Sequence, residues 1–417
     1  MSNNTCEKIT ECIACGHDKL TPVLNLREQP LANSFKKTQD EKEEIFPLAI
    51  NHCDKCYHVQ LTHKVNPDLL FKNYLYVSGT AKTQLEYFDW FANLAIEEFD
   101  TREAKVPATV FDIGCNDGSQ LDAFRKRGLQ TFGIDPAENL HKISSKKHHD
   151  VICGYFNEHV FASSKSFDII LCQNAFAHNY DQLGFLKKVR NLMHPFTKLY
   201  ITTSQANMIQ NNEFDTIYHE HLSFYNIKSM KELCRRAGLY LIDVVRHPIH
   251  GTTNIFIISR FVHKTSRIDA LIEQERLQGL YDSRTYIKYA QRCEKIIKTF
   301  AEKINELRQQ GYVIAGYGAS AKGNTFLNAS LTKLDFIVDD NPLKQNMWTP
   351  GTTIPIYGQE VLEKYSDISK ICFVPLAWNF FEEIKEKIRT KRQNAPCAFL
   401  QYFPEVRLDD SVAETGV

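Results

Sequence analysis

Thr109-Val110-Phe111-Asp112-Ile113-Gly114-Cys115-Asn116-Asp117-Gly118-Ser119 is a short apolar run that ends in a glycine-spaced polar turn, and it leads into the helix-like Leu121-Asp122-Ala123-Phe124. Strand, glycine-rich turn and helix open an α/β unit in which the absent side chains let main chain approach a ligand closely. The spacing is D-x-G-x-x-x-G, carried by Asp112, Gly114 and Gly118, and is not the G-x-G-x-x-G of dinucleotide binders. A second apolar run, 130–134, ends at Asp135, 21 residues after Gly114, which is the length of one strand–turn–helix–strand step. An acid at that place hydrogen-bonds ribose hydroxyls. Further buried-strand runs at 167–172 and 198–203 flank a segment in which Phe185, Val189 and Leu192 recur at helical spacing, with Leu186 and Met193 widening the same face. The middle of the chain therefore reads as a doubly wound α/β sheet.

The motif with its acid 21 residues on resembles the class I S-adenosylmethionine (SAM) methyltransferases. The rest of the composition fits an α/β protein of two to four domains: 417 residues, 43% hydrophobic and 24% charged. Lys+Arg and Asp+Glu are both 50, so the net charge is zero, which argues against a partner that is nucleic acid or an anionic membrane. No apolar run approaches the roughly 20 residues of a membrane span, and the first residues lack the apolar core of a secretion signal. Twelve cysteines are too sparse for a disulfide scaffold in this length, so the expected compartment is the reducing cytoplasm.

Four of those cysteines form two C-x-x-C knuckles, Cys12/Cys15 and Cys53/Cys56. Each knuckle offers two thiolates from one tight turn, and two knuckles complete a tetrahedral Zn²⁺ site. The segment between them carries strand signals at 21–24 and 45–48. His17, His52 and His58 stand nearby but are surplus to a four-sulfur site, and they are expected at the surface. Residues 1–80 hold nine Lys/Arg against ten Asp/Glu, which gives no basic patch, so the zinc is expected to be structural.

The densest chemistry lies at 213–221, Glu213-Phe214-Asp215-Thr216-Ile217-Tyr218-His219-Glu220-His221. Read as a strand, alternation puts Tyr218 and Glu220 on one side with His219 and His221 on the other; a helix spreads them. Histidine titrates near neutral pH and a neighbouring carboxylate orients it, so a general base fits this cluster. His178 follows the strand run 167–172 at what would be the carboxyl edge of the sheet, where ligands sit in open α/β folds. His250 follows another apolar run, 240–245, and is a candidate for the same cleft.

In the last third, Tyr286, Cys293, Ile297, Phe300, Ile304 and Leu307 recur at helical spacing, predicting a long helix over about 285–310 that joins the domains. Then Gly316-Tyr317-Gly318-Ala319-Ser320-Ala321 satisfies G-x-G-x-x-A after a strand run, and a second run ends at Asp339. On the residues alone, an NAD-binding or non-catalytic Rossmann scaffold stays open, and so does a SAM-dependent methyltransferase of nucleic acid or protein.

Taken in order, the paired knuckles, 29–34 (QPLANS), 74–80 (YLYVSGT), 112–118 (DIGCNDG), 213–221 (EFDTIYHEH), 316–324 (GYGASAKGN) and 340–345 (DNPLKQ) resemble the SAM-dependent nucleotide-sugar C-methyltransferases of branched deoxysugar biosynthesis. The resemblance runs almost end to end. It implies an α/β chain of three parts: a small N-terminal zinc-binding module at 1–75, a central Rossmann-like SAM-binding domain at 76–262, and a C-terminal Rossmann-like domain at 263–417 that binds a nucleotide-sugar. It implies SAM as methyl donor and structural Zn²⁺. Its substrate is a nucleotide-linked 4-keto sugar, with no nucleic acid or membrane partner, and the chain is expected to be a monomer or weak homo-oligomer. Carried over position by position, His221 is the base, Tyr218 and Glu220 position substrate and base, and His178 is a pocket histidine. SAM falls to Asp112, Gly114, Asn116, Asp117, Gly118, Asp135 and Asn174. The sugar nucleotide falls to Tyr76, Ser78, His250, Lys322, Asn324 and Lys344. The chain departs from the family in Ser204-Gln205-Ala206-Asn207, where many members have Glu-x-Pro, and in Asp135, where many have glutamate.

Overall fold

Thr109–Ile113 carries apolar Val110, Phe111 and Ile113 and is buried throughout its last four residues, as a strand covered on both faces must be. It is β1 of a seven-stranded sheet whose other strands are β2 (Gln130–Asp135), β3 (Val151–Cys153), β4 (Phe167–Gln173), β5 (Met193–Thr202), β6 (Tyr240–His247) and β7 (Thr253–Ser259). The spatial order is β3-β2-β1-β4-β5-β7-β6. The pairs among β3, β2, β1, β4 and β5 are parallel, and β7 runs antiparallel to both β5 and β6. The order reverses between β1 and β4, so the loops after these two strands open on the switch point where α/β sheets hold ligands. The computed structural model describes residues 5–71, 76–97, 108–147, 150–156, 165–249, 253–262 and 266–409.

The chain divides into two compact units made of alternating stretches: 1–21, 51–206 and 220–282 in the first, and 22–50, 207–219 and 283–417 in the second. The seven-stranded sheet belongs to the first. One of its faces packs with the helix Lys82–Glu97, through Phe88, Phe91 and Ala95, against Val110, Ile169 and Tyr200. The other face packs Phe111, Ile170 and Leu199 with the helices Gln182–Asn191 and Ile227–Arg236, and this core also takes in Cys12, Ala14, Cys53 and Cys56. The cysteine knuckles are thus part of the same core as the sheet. The helix Ile227–Arg236 begins with a capping box, Asn226 accepting from Ser229 N and Ser229 from Asn226 N. The Asn226 side chain also donates to the carbonyls of Tyr57 (2.7 Å) and Cys56 (3.4 Å), tying the second knuckle to the helix start.

The second unit holds a six-stranded sheet of β8 (Val313–Tyr317), β9 (Phe336–Val338), β10 (Ile356–Tyr357), β11 (Ile371–Pro375), β12 (Ala398–Gln401) and β13 (Arg407–Asp409). Its order is β10-β9-β8-β11-β12-β13, parallel except for β13. The helix predicted at 285–310 is Ser283–Gln309, and it lies wholly within this unit rather than joining two. Its buried stripe uses Ile296 where the spacing had pointed to Ile297. The segment 207–219 is held here by Phe214, whose ring meets Phe326 at 5.7 Å and Phe403 at 5.4 Å. Among the described residues, no helix is long and apolar enough to cross a membrane.

Candidate active site

The loop after β1 must turn sharply, and it does so with Gly114, Asn116 and Gly118 all at positive φ, 83°, 52° and 79°. A Cβ on Gly114 would come within 2.6 Å of the Ala175 Cβ, so the close approach itself requires glycine. Asp135 closes the loop from the next strand. Its Oδ2 accepts from Asn116 N at 2.9 Å and its Oδ1 from Ala137 N at 2.9 Å. Each oxygen keeps a second lone pair for a ribose hydroxyl. Asp117 accepts from Ser119 N (3.1 Å) and Ser119 Oγ (2.8 Å), fixing the start of the helix Ser119–Arg125. Asn174, at φ 54° and exposed, hangs from Thr202 across the β4–β5 edge, its N–H donating to the Thr202 carbonyl at 2.9 Å.

Asp112 is the chemical centre of this loop. It is 3% exposed, and its Oδ1 has no hydrogen-bond partner among the described residues. Burial, aided by the charge of Asp135, pushes its carboxyl up to about 7. An orphaned buried acid beside a glycine cradle is what a cationic amino-acid headgroup with an attached nucleoside needs, so these residues fit SAM.

Ahead of the loop in sequence, 76–80 docks on it. The Asn116 amide donates to the Tyr76 carbonyl at 3.0 Å and accepts from Ser78 N at 3.0 Å. The Tyr76 side chain is 48% exposed. Gly79 lies against the same loop, where a Cβ would fall 2.3 Å from Ser119 Oγ and 2.5 Å from Asp117 Oδ2.

His178 sits in a 3-10 turn, Phe176–His178, just past β4. Its ring stacks on Phe71 (5.3 Å, 12°) and on His221 (5.4 Å, 23°). Its Nε2 is buried and has no partner among the described residues, and burial pushes the imidazole down to about 4. His221 is half-buried and meets Phe224 edge-on at 6.2 Å. The structure therefore brings His178 and His221 together, and adds Phe71, which no sequence pattern had singled out.

Neither the strand nor the helix reading of 218–221 describes the segment. The segment is a 3-10 turn, Phe214–Thr216, followed by an irregular turn, so there is no pleat to sort the side chains. His219 and Glu220 are the buried pair, at 2% each, while Tyr218 and His221 are half-buried. His219 Nε2 lies 3.3 Å from the Phe46 carbonyl, a structural contact. The boundary between the two units falls between His219 and Glu220, which places Tyr218 in the second and Glu220 and His221 in the first.

Cys12, Cys15, Cys53 and Cys56 converge, with all four Sγ atoms within 4.8 Å of one another. Cys12–Cys56 is 3.6 Å and Cys15–Cys53 is 3.5 Å. A tetrahedron with Zn–S of about 2.3 Å has edges of about 3.8 Å, so the four sulfurs are clustered at the scale that the ion requires. The expectation that the neighbouring histidines lie at the surface is corrected. His58 is 0% and His52 1% exposed. His58 bridges Ser223 Oγ (3.0 Å) and Ser229 Oγ (3.3 Å), two hydroxyls far along the chain that satisfy its buried nitrogens.

In the second unit the loop after β8 repeats the device of the first. Asp339 accepts from Ala319 N at 2.6 Å and from Asn341 N at 2.8 Å. Lys344 donates to the Ala319 carbonyl at 2.8 Å. Lys322 lies over the Trp378 ring at 5.1 Å, and the Trp378 indole donates to Asp215 Oδ2 at 2.7 Å. Asp215 is fully buried and its Oδ1 has no partner among the described residues. Asn324 is also fully buried, its amide donating to the Ala32 carbonyl at 2.8 Å. His250 lies outside the described residues.

Three family models match the chain in succession: a putative zinc binding domain at 12–71, a methyltransferase domain at 82–244, and a C-methyltransferase C-terminal domain at 248–404. The C-methyltransferase NovU of Streptomyces niveus is 28% identical over 413 residues, which is 96% of this chain and 97% of NovU. The ubiquinone biosynthesis O-methyltransferase of Coxiella burnetii (strain Dugway 5J108-111) is 26% identical over 170 residues, 37% of this chain and 72% of that one. Among solved structures, magnesium protoporphyrin IX methyltransferase from Synechocystis PCC 6803 with bound SAH covers 44% of this chain and 89% of its own at 10% identity, with a TM-score of 0.35.

Proposed function

Because the chain is a SAM-dependent C-methyltransferase, with a zinc-binding segment, a methyltransferase domain and a C-methyltransferase C-terminal domain in one polypeptide, we propose that its substrate is a nucleotide-linked 4-keto deoxysugar, methylated at C3. The observation that carries this reading is the stacked pair of His178 and His221 in the unit that holds the cofactor loop. Carbon methylation needs a carbanion, and a carbon beside a ketone provides one once a base removes its proton.

His221 is the base. It takes the C3 proton, the C–H electrons move into the ring as an enolate on the C4 oxygen, and that carbon becomes the nucleophile. SAM, when bound, supplies the methyl group, and the sulfonium leaves as a neutral thioether. His178, held uncharged by burial, keeps a second positive charge away from the imidazole that must accept the proton. Glu220, buried and adjacent to His221 in the chain, is the carboxylate assigned to positioning the base. Lys322, and with it the N-terminus of the helix Ala321–Ser330, takes the substrate phosphates.

The test is a deuterium wash-in. The protein is incubated in D₂O with a panel of 4-keto nucleotide-sugars, with and without SAM, and followed by mass spectrometry. Exchange at C3 without SAM and gain of one carbon-bound methyl with it support the reading. Neither signal with any sugar, in protein that binds SAM, would move the substrate to another class.

A further inference from the structure

We propose that the Asn116 side chain is a latch between the cofactor loop and the segment 76–80, so that cofactor binding orders the surface that carries Tyr76. Asn116 was expected to serve the cofactor, yet its amide is spent on main chain. The Nδ2 donates to the Tyr76 carbonyl, and the Oδ1 accepts from both Ser78 N (3.0 Å) and Asp117 N (2.9 Å). One planar group thus reads two residues of the segment and one of the loop. It does so from a main-chain φ of 52°, a conformation that asparagine tolerates better than most residues.

A second observation, independent of Asn116, places the segment on the loop. At Gly79 an added Cβ would collide with Ser119 Oγ at 2.3 Å and Asp117 Oδ2 at 2.5 Å, so the docked arrangement needs glycine there. Asp117 in turn holds Ser119 N and Oγ, so the residues that meet Gly79 are the ones that set the loop. A ligand that fixes the conformation of 114–118 therefore fixes 76–80 as well. By linkage, whatever binds Tyr76 tightens the cofactor in the same proportion. Asn116 is a positioning residue, and the coupling it implies runs equally between cofactor and sugar. Only the kinetic arm of the test rests on the sugar reading.

The primary test needs no sugar. Hydrogen–deuterium exchange across 76–80 is measured with and without S-adenosylhomocysteine (SAH), with SAH binding followed by calorimetry. Slowing by SAH in the wild type, lost in Asn116→Ala and in Gly79→Ala while both still bind SAH, is the expected result. No slowing in the wild type, or slowing retained in Gly79→Ala, overturns the proposal. Should Asn116→Ala fail to fold or to bind SAH, Gly79→Ala decides alone, since it substitutes no residue of the cofactor loop and its SAH binding is measured alongside. In the kinetic arm, KM for the keto-sugar rises in both variants while kcat at saturation moves less. A failure confined to this arm falls on the sugar reading.

Discussion

The imidazoles of His178 and His221 are stacked, 5.4 Å between centroids and 23° from parallel, and the Phe71 ring also stacks on His178. Two stacked imidazoles repel if both are protonated, so the pair carries at most one proton readily. Burial assigns the uncharged role to His178, and His221 is the proposed base. His221→Gln is therefore expected to lower C3 proton exchange and methylation together, by about 10²–10⁴. SAH affinity should stay at the wild-type value. Retained exchange in this variant would remove His221 from the mechanism.

Cofactor affinity should depend on pH through Asp112. Its carboxyl stands at about 7, so it ionises as pH rises through neutrality and then attracts a cation. Calorimetric SAH affinity should tighten as pH rises from 6 to 8 and lose that slope in Asp112→Asn. The same shift bears on stability, because a carboxyl raised in the folded state keeps its proton after the unfolded chain has released it. Ligand-free protein should lose stability between about pH 4 and 7, more than Asp112→Asn does.

Zinc removal should unfold more than a module. Cys12, Cys53 and Cys56 share a core with Phe111, Ile170 and Leu199, so stripping the ion with a strong chelator should lower the thermal midpoint and abolish SAH binding in one transition. Elemental analysis should give one zinc per chain. A chelated protein with an unchanged midpoint would show that the four sulfurs hold themselves together.

Lys322→Gln tests the phosphate assignment. A charged hydrogen bond contributes about 1.5–3 kcal/mol, so KM for the nucleotide-sugar should rise roughly ten- to hundredfold. SAH binding, which belongs to the other unit, should not change. An unaltered KM would leave Lys322 as a lid on the Trp378 ring.

Trp378→Phe removes the donor to Asp215 Oδ2 and leaves that buried carboxyl with no bond from the indole. The expected cost is about 1–3 kcal/mol in denaturant unfolding, larger at pH 8 than at pH 5. The sign follows from Asp215, which burial pushes up to about 6. The indole N–H serves the ionised form, so its loss matters most above that value. A Trp378→Phe protein equally stable at both pH values would mean that Asp215 stays protonated.

Features that depend on neighbours in sequence were legible, and those that depend on distant chain were not. The glycine turn at 114–118, the acids at 135 and 339, and the helix Ser283–Gln309 follow from spacing alone. The two C-x-x-C knuckles announced their sulfur site for the same reason. His58 was misplaced because Ser223 and Ser229, the hydroxyls that make its burial tolerable, stand 165 and 171 residues away. The conformation of 218–221 stayed open between strand and helix because the preceding 3-10 turn is held by Phe214 and by the Trp378 bond to Asp215, and no local pattern encodes those contacts. Phe71 was overlooked because a lone phenylalanine in a short helix carries no signal until His178 is placed against it.

The alternating ownership of the chain has a consequence for how the protein is made. Segments 22–50 and 207–219 belong with 283–417, so the second unit cannot close until the end of the chain has emerged. At a synthesis rate of roughly 5–20 residues per second, Phe214 waits about 10–40 s for Phe403. Through that interval Phe214 is without the Phe326 and Phe403 rings that pack on it, while the first unit lacks only its stretch through 282. A polypeptide stopped after Asp282 would leave Phe214 without those rings, and would be expected to aggregate rather than to behave as an isolated cofactor-binding half.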